Sequence, residues 1–305
     1  MRDILLFFLA SILSIGLCAS ELEAAQRQNP KAGAQGKAAS SARKAKPAAQ
    51  KPAAAQKQPP PPVSDADQKT NAVLKQLGLT VQTIMIDAGH GGKDPGAQAF
   101  GLTEKNFTLD MARRVGDSLR KKGFTVIFTR SGNNYLSLQE RPDAANAKKA
   151  DLFISIHANA NPNPARRGLE TYYLSEAKSN DAVTVAAREN GVPVQEISDL
   201  QFILTDLMLS SKVKESRHLA ECAHKGILGS LRKARVSVLD NGVRAAPFYV
   251  LVGARMPAIL VEFGYISNKD DAANLKRDSY LQKQSDGLAE GILQYKKELA
   301  ANAPG

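Results

Sequence analysis

Hydrophobic and polar positions divide the chain into three zones. Ile4 to Ala19 is an unbroken run of apolar or small residues. Glu21 to Pro62 holds almost nothing bulky, and from about Gln68 short apolar runs alternate with amphipathic ones. In the third zone Thr83–Asp87 is a β-branched apolar run ending at Ala88-Gly89, the pattern of a buried strand meeting a turn. Phe107, Met111, Val115 and Leu119 recur every fourth residue, which predicts an amphipathic helix over Thr103–Lys122. Thr103 is its expected N-cap and Gly123 its terminator. Further strands are predicted at Phe124–Phe128, Leu152–Ile156, Leu169–Leu174, Pro247–Leu251 and Ala258–Phe263. Further helices are predicted at Leu138–Lys149, Asp181–Glu189, Ser211–Ala234 and Asp278–Leu299. This alternation predicts an α/β fold, a mainly parallel twisted sheet with helices on both faces, in a single domain over 68–305.

The first two zones read differently. Residues 1–20 have the small residues Cys18, Ala19 and Ser20 after an apolar core too short for a comfortable span, as in a cleaved secretory signal. An uncleaved anchor is the alternative, and bulky Leu17 weakens a lipoprotein reading of Cys18. Residues 21–67 form an Ala/Lys/Pro/Gln-rich linker that cannot bury enough apolar surface to offset ordering entropy. The net charge of +11 invites a polyanion partner. Yet Glu21–Pro62 carries eight Lys and Arg against two acids, so +6 of that charge sits in this stretch. The linker is either a solubilising spacer or a tether with loose affinity for an anionic envelope. No zinc-finger, RNA-binding or phosphate-loop signature is present, so nucleic acid is not an expected partner.

In α/β sheets ligands gather outside the carboxyl ends of strands. There the chain places His90, in Asp87-Ala88-Gly89-His90-Gly91-Gly92, and His157, in Ser155-Ile156-His157-Ala158-Asn159. Glu262 lies on another predicted strand, and Glu104 opens the helix after the glycine-rich loop. His218 and His224 fall in helical runs, and Cys222 reads as a buried, inert thiol. Two imidazoles and one carboxylate suit a hydrolytic zinc site with an open position for water, and a second carboxylate suits proton transfer. Spacing alone leaves open which Glu would bind metal.

Four blocks, IMIDAGHGGKDPGA, TEKNFTLDMARRV, LSLQERPDAANAKKADLFISIHANA and AILVEFGYISN, resemble the zinc-dependent N-acetylmuramoyl-L-alanine amidases of the cell-division and spore-cortex type. The resemblance spans roughly Val81 to Leu299. It implies one Zn2+ per chain held by His90, Glu104 and His157, with Glu262 as the catalytic group. The implied reaction is hydrolysis of the amide between N-acetylmuramic acid and the L-alanine of peptidoglycan stem peptides. It would serve wall remodelling or daughter-cell separation in the periplasm or cell-wall space. Asp87 is expected either to bond a metal-binding His or to cap a turn, and Arg141 either to meet substrate carboxylates or to form a structural ion pair. Asn159 and Asn268 either donate to substrate or stabilise their own loops, and Asp94-Pro95-Gly96 is most simply a turn.

Division amidases of this family carry an inserted helix that plugs the site until an activator protein displaces it. The corresponding stretch, Arg188 to Leu209, offers Glu189, Glu196 and Asp199 but is short for a plug. A chain beginning near Ser64 is therefore expected to hydrolyse wall unaided. The rival readings are a catalytically inactive wall-binding or activator module, and a zinc amidohydrolase acting on small N-acyl amino acids. Against the first, all four polar positions of the resemblance are filled. Against the second, a leader and tether suit a polymeric substrate.

Overall fold

The computed structural model describes residues 81–197 and 211–301. The expected leader, the linker and Asp199 lie outside the described residues. A six-stranded sheet has the order β4-β1-β5-β8-β6-β7. Its strands are β1 (Thr83–Ala88), β4 (Thr125–Phe128), β5 (Leu152–Asn159), β6 (Leu169–Leu174), β7 (Asp240–Ala246) and β8 (Ala258–Tyr265). β2 (Gln98–Ala99) and β3 (Leu102–Thr103) form a small hairpin apart from it. β1 pairs in parallel with β4 and β5, β5 with β8, and β6 with β7. Within the six-stranded sheet only the β6–β8 pairing is antiparallel, so the sheet is mainly parallel.

The pleat sorts side chains into two cores. Ile84, Ile86, Ile154, Ile156, Ile259 and Val261 point to one face. There they meet α1 (Glu104–Arg120), α4 (Ser211–Lys233) and α7 (Asp278–Ala301) through Met111, Leu119, Ile227 and Leu288. Met85, Phe153, Leu260 and Tyr172 point to the other face. They meet α2 (Glu140–Ala147), α3 (Asn180–Asn190) and α5 (Tyr249–Val252) through Ala145, Val185, Ala186 and Val250. Both faces are covered, as a mainly parallel sheet requires. α6 (Lys269–Asn274) follows β8. Among the described residues, no helix is long and apolar enough to cross a membrane.

One predicted element is corrected. Pro247–Leu251 is not a strand; the strand is β7, and Pro247 ends it before the short helix α5. The run is apolar because Phe248, Val250 and Leu251 are buried in the second core. A short apolar run does not separate strand from helix. β7 itself, DNGVRAA, is an edge strand whose residues are mostly half-buried, so it lacks the apolar texture that marks its neighbours.

Candidate active site

The carboxyl ends of the parallel strands β1, β5 and β8 deliver the candidate residues to one edge. Just past β1, His90 sits at φ 58°, in the left-handed region. Such strain in a non-glycine residue costs of order 1–3 kcal/mol and persists where the surroundings enforce it. The enforcing contacts are two buried arginines. Arg141 Nη1 donates to Ala88 O at 2.9 Å and its Nη2 to His90 O at 3.0 Å. Arg130 Nε donates to Ala88 O at 2.9 Å and its Nη2 to Gly89 O at 2.8 Å. Arg130 carried no motif that would single it out in the sequence.

Close packing at two glycines makes room for the cluster. A Cβ on Gly89 would lie 2.4 Å from the His157 ring. One on Gly96, at φ 64°, would lie 2.7 Å from the His90 ring and 2.8 Å from Glu104 Oε2.

His90, Glu104, His157 and Glu189 each offer a ligand atom, all within 4.8 Å of one another. Glu104 Oε1 is 3.2 Å from His90 Nε2 and 3.2 Å from His157 Nδ1. The Glu104 carboxylate is oriented from outside by Ala158 N–H at 3.0 Å on Oε1 and Ala97 N–H at 2.9 Å on Oε2. Asp94 Oδ2 holds His90 Nδ1 at 2.8 Å, which turns Nε2 toward the cluster. The sequence suggests only a turn at Asp94, and Asp94 does make one through Gly96 N–H on Oδ1 at 3.0 Å.

Burial opposes protonation of His157, but Glu189 and Glu104 outweigh it and raise its pKa to about 9. His90 is raised in the same sense, chiefly by Glu104 against burial. Burial pushes the Glu104 carboxyl up, while His90 beside it carries it down to about 2. Such opposed shifts between adjacent buried groups are typical of functional sites.

This donor set fits a metal. His90 Nε2 and Glu189 Oε2 are buried 3.4 Å apart and make no well-directed hydrogen bond, although charged or polar atoms crowd both. Two imidazoles and carboxylates around one point are a zinc-type donor set.

Glu262 is Cα-paired with His157 across β5 and β8 and is fully buried. Burial drives its carboxyl well above the usual range, and Arg188 only partly offsets this. Arg188 Nη2 approaches Glu262 Oε1 at 3.4 Å, and Oε2 is without a partner.

The stretch expected to be short for a plug, Arg188 to Leu209, reaches the site through its first two residues, and its residues 198–209 lie outside the described residues. α3 begins at the Ser179 cap and ends at Gly191, φ 68°. Its last turn places Glu189 Oε2 2.9 Å from His157 Nδ1 and 3.4 Å from His90 Nε2. Arg188 donates to Asn159 Oδ1 at 2.8 Å, to Ala160 O and to Glu189 Oε1. Glu196 is exposed and outside the cluster. A cavity of about 280 Å³ opens here, bordered by His90, His157, Glu189, Arg188 and Tyr135.

The remaining candidates divide cleanly. Asp87 bonds no His; it accepts from Thr129 and Arg141 on Oδ1 at 2.7 and 2.8 Å and from Ser155 on Oδ2 at 2.7 Å. Arg141 is thus the structural ion pair of Asp87. Asn159 is fully buried, donating to Glu170 at 2.9 Å. Asn268 caps α6, accepting from Asp270 and Asp271 N–H at 3.0 Å, and donates to Pro164 O at 2.7 Å.

Comparison with known proteins identifies the family of this fold. Residues 84–294 match the family described as N-acetylmuramoyl-L-alanine amidase. The chain is 35% identical over 214 residues to N-acetylmuramoyl-L-alanine amidase LytC of Bacillus subtilis, an alignment covering 70% of this chain and 35% of LytC. It is 32% identical over 224 residues to N-acetylmuramoyl-L-alanine amidase AmiA of Escherichia coli, covering 70% of this chain and 76% of AmiA. The solved catalytic domain of CwlV, an N-acetylmuramoyl-L-alanine amidase from Bacillus (Paenibacillus) polymyxa, superposes with a TM-score of 0.54 at 30% identity, covering 70% of this chain and 98% of that one. With sequence and fold in agreement, the chain belongs to the N-acetylmuramoyl-L-alanine amidase family.

Proposed function

We propose that this chain is an exported, zinc-dependent amidase. It hydrolyses the amide between N-acetylmuramic acid and L-alanine of peptidoglycan, in wall remodelling or daughter-cell separation. The observation that carries the reading is the convergence of His90 Nε2, His157 Nδ1 and Glu104 Oε1, with the buried Glu262 on the neighbouring strand. His90, Glu104 and His157 would hold the zinc. Bound there, zinc supplies a Lewis acid that lowers the pKa of water toward ~7 and polarises a carbonyl.

The chain's own residues do the rest. Asp94 fixes the His90 ring with Nε2 inward, and the Ala97 and Ala158 amides fix Glu104. Glu262, as the carboxylate, takes a proton from the attacking water and passes it to the leaving nitrogen of L-alanine. Glu189 fills the cluster and Arg188 approaches Glu262, so the end of α3 closes the site. An activator protein that draws α3 away would open it. Residues 1–20 serve as the export signal, and 21–67 tether the catalytic domain near an anionic envelope.

The test is a pair of variants. Glu262→Ala should keep its zinc and lose about 10²–10⁴-fold in amide cleavage. His90→Ala should lose the zinc as well. Full activity in Glu262→Ala would overturn the assignment.

A further inference from the structure

We propose that His218, Cys222 and Glu298 form a second metal site, for a borderline divalent transition ion such as zinc, on the α4–α7 helix pair. His218 and Cys222 are four residues apart on α4 and so share one face. Glu298 reaches them from α7, and the three ligand atoms lie within 4.8 Å of one another. His218 Nε2 is 2.5 Å from Glu298 Oε2, and Cys222 Sγ is 3.6 Å from the same oxygen. Imidazole, thiolate and carboxylate are all zinc donors.

The scaffold beneath is rigid. A Cβ on Gly291 of α7 would stand 2.3 Å from Cys222 O, and one on Gly226 of α4 would stand 2.3 Å from Gly287 O. The two helices therefore touch backbone to backbone at the site, and donors on such elements hold their spacing. The donors are also oriented from outside. The Tyr295 ring packs edge-on to His218 with centroids 5.2 Å apart. Gln294 donates to Glu298 Oε1 at 2.8 Å, which leaves Oε2 for the cluster. Such outer partners are what tune a ligand set.

The site borders a groove of about 720 Å³ between the helices, which gives an ion access and leaves room for water as the remaining ligand. On binding, the metal–sulfur bond forms as the S–H bond breaks, and the Cys222 proton leaves to solvent. The site shares no residue with the His90 cluster, and that cluster contains no sulfur.

Cobalt(II) separates the two sites, because a thiolate ligand to cobalt gives a near-ultraviolet charge-transfer band that imidazole and carboxylate do not. Titrating Co2+ into the metal-stripped full chain should produce this band. Cys222→Ser should abolish the band and bind one cobalt fewer per chain. Glu298→Gln, a near-isosteric change at a half-buried position, should weaken cobalt binding at the band by more than the ~10–100-fold that losing an outer partner costs. No band at saturating cobalt, or a band that persists in Cys222→Ser, would overturn the proposal.

Discussion

Asp94 shows how one side chain carries two roles of which only one is visible in sequence. Its Oδ1 closes the turn on Gly96 N–H and its Oδ2 grips His90 Nδ1. The motif Asp94-Pro95-Gly96 announces the turn, while the second bond depends on His90 adopting φ 58°. Asp94→Asn should keep the turn yet weaken zinc binding by ~10–100-fold, measured by competition with a chelator. His90, Glu104 and His157 were legible because each stands at an element end beside glycines or a strand terminus. Asp87 was legible as important but not in its role, since its partners Thr129, Arg141 and Ser155 come from three other segments. Burial pushes the Asp87 carboxyl up, but Arg141, Thr129 and Ser155 outweigh it and hold it below its ordinary value. Its contribution to stability is therefore complete above the unfolded-state pKa near 3.8 and is lost as pH falls through the lower folded-state value. Asp87→Asn should destabilise the fold by about 3–5 kcal/mol at pH 7, because it leaves Arg141 buried without its counter-charge. Urea titrations should show the gap to the wild type narrowing in strong acid.

At the scale of elements, the helices and central strands follow their apolar periodicity closely. β6 is an instructive case. Its span, Leu169–Leu174, is evident from the apolar run, but nothing local tells that it runs against β8. Direction is set by the chain connecting it, which the pattern of side chains does not encode. α3 was likewise legible as a helix, but its destination was not. Ser179 and Gly191 fix its ends, and Asn190 pins the last turn by donating to Pro247 O at 2.8 Å and accepting from Tyr249 N–H at 2.8 Å. That anchoring brings Glu189 onto His157. Glu189→Ala should raise the unassisted rate of amide cleavage by about tenfold or more, as expected when a closed state holding nine-tenths of the population is abolished. An unchanged or lower rate would mean that the tip of α3 does not occlude the site.

For the whole molecule, charge is uneven along the chain, and the proposed tether and the amidase-family region differ in it. Residues 21–62 hold +6 of the net +11, and all four residues proposed for zinc binding and catalysis lie beyond them. Removing residues 21–63 from the mature protein should leave kcat on soluble wall fragments unchanged. Binding to intact sacculi should become weaker and less dependent on salt, since exposed charges are screened beyond a Debye length of ~10 Å at 0.1 M. The central claim is the bond that is cut and its need for metal. Purified sacculi digested with the Glu189→Ala protein and read by mass spectrometry test it most directly. The account predicts free stem peptides beginning at L-alanine beside peptide-free glycan, both abolished by a chelator and restored by zinc. Release of stem peptides that persists in the chelator, or sacculi left intact with zinc supplied, would contradict it.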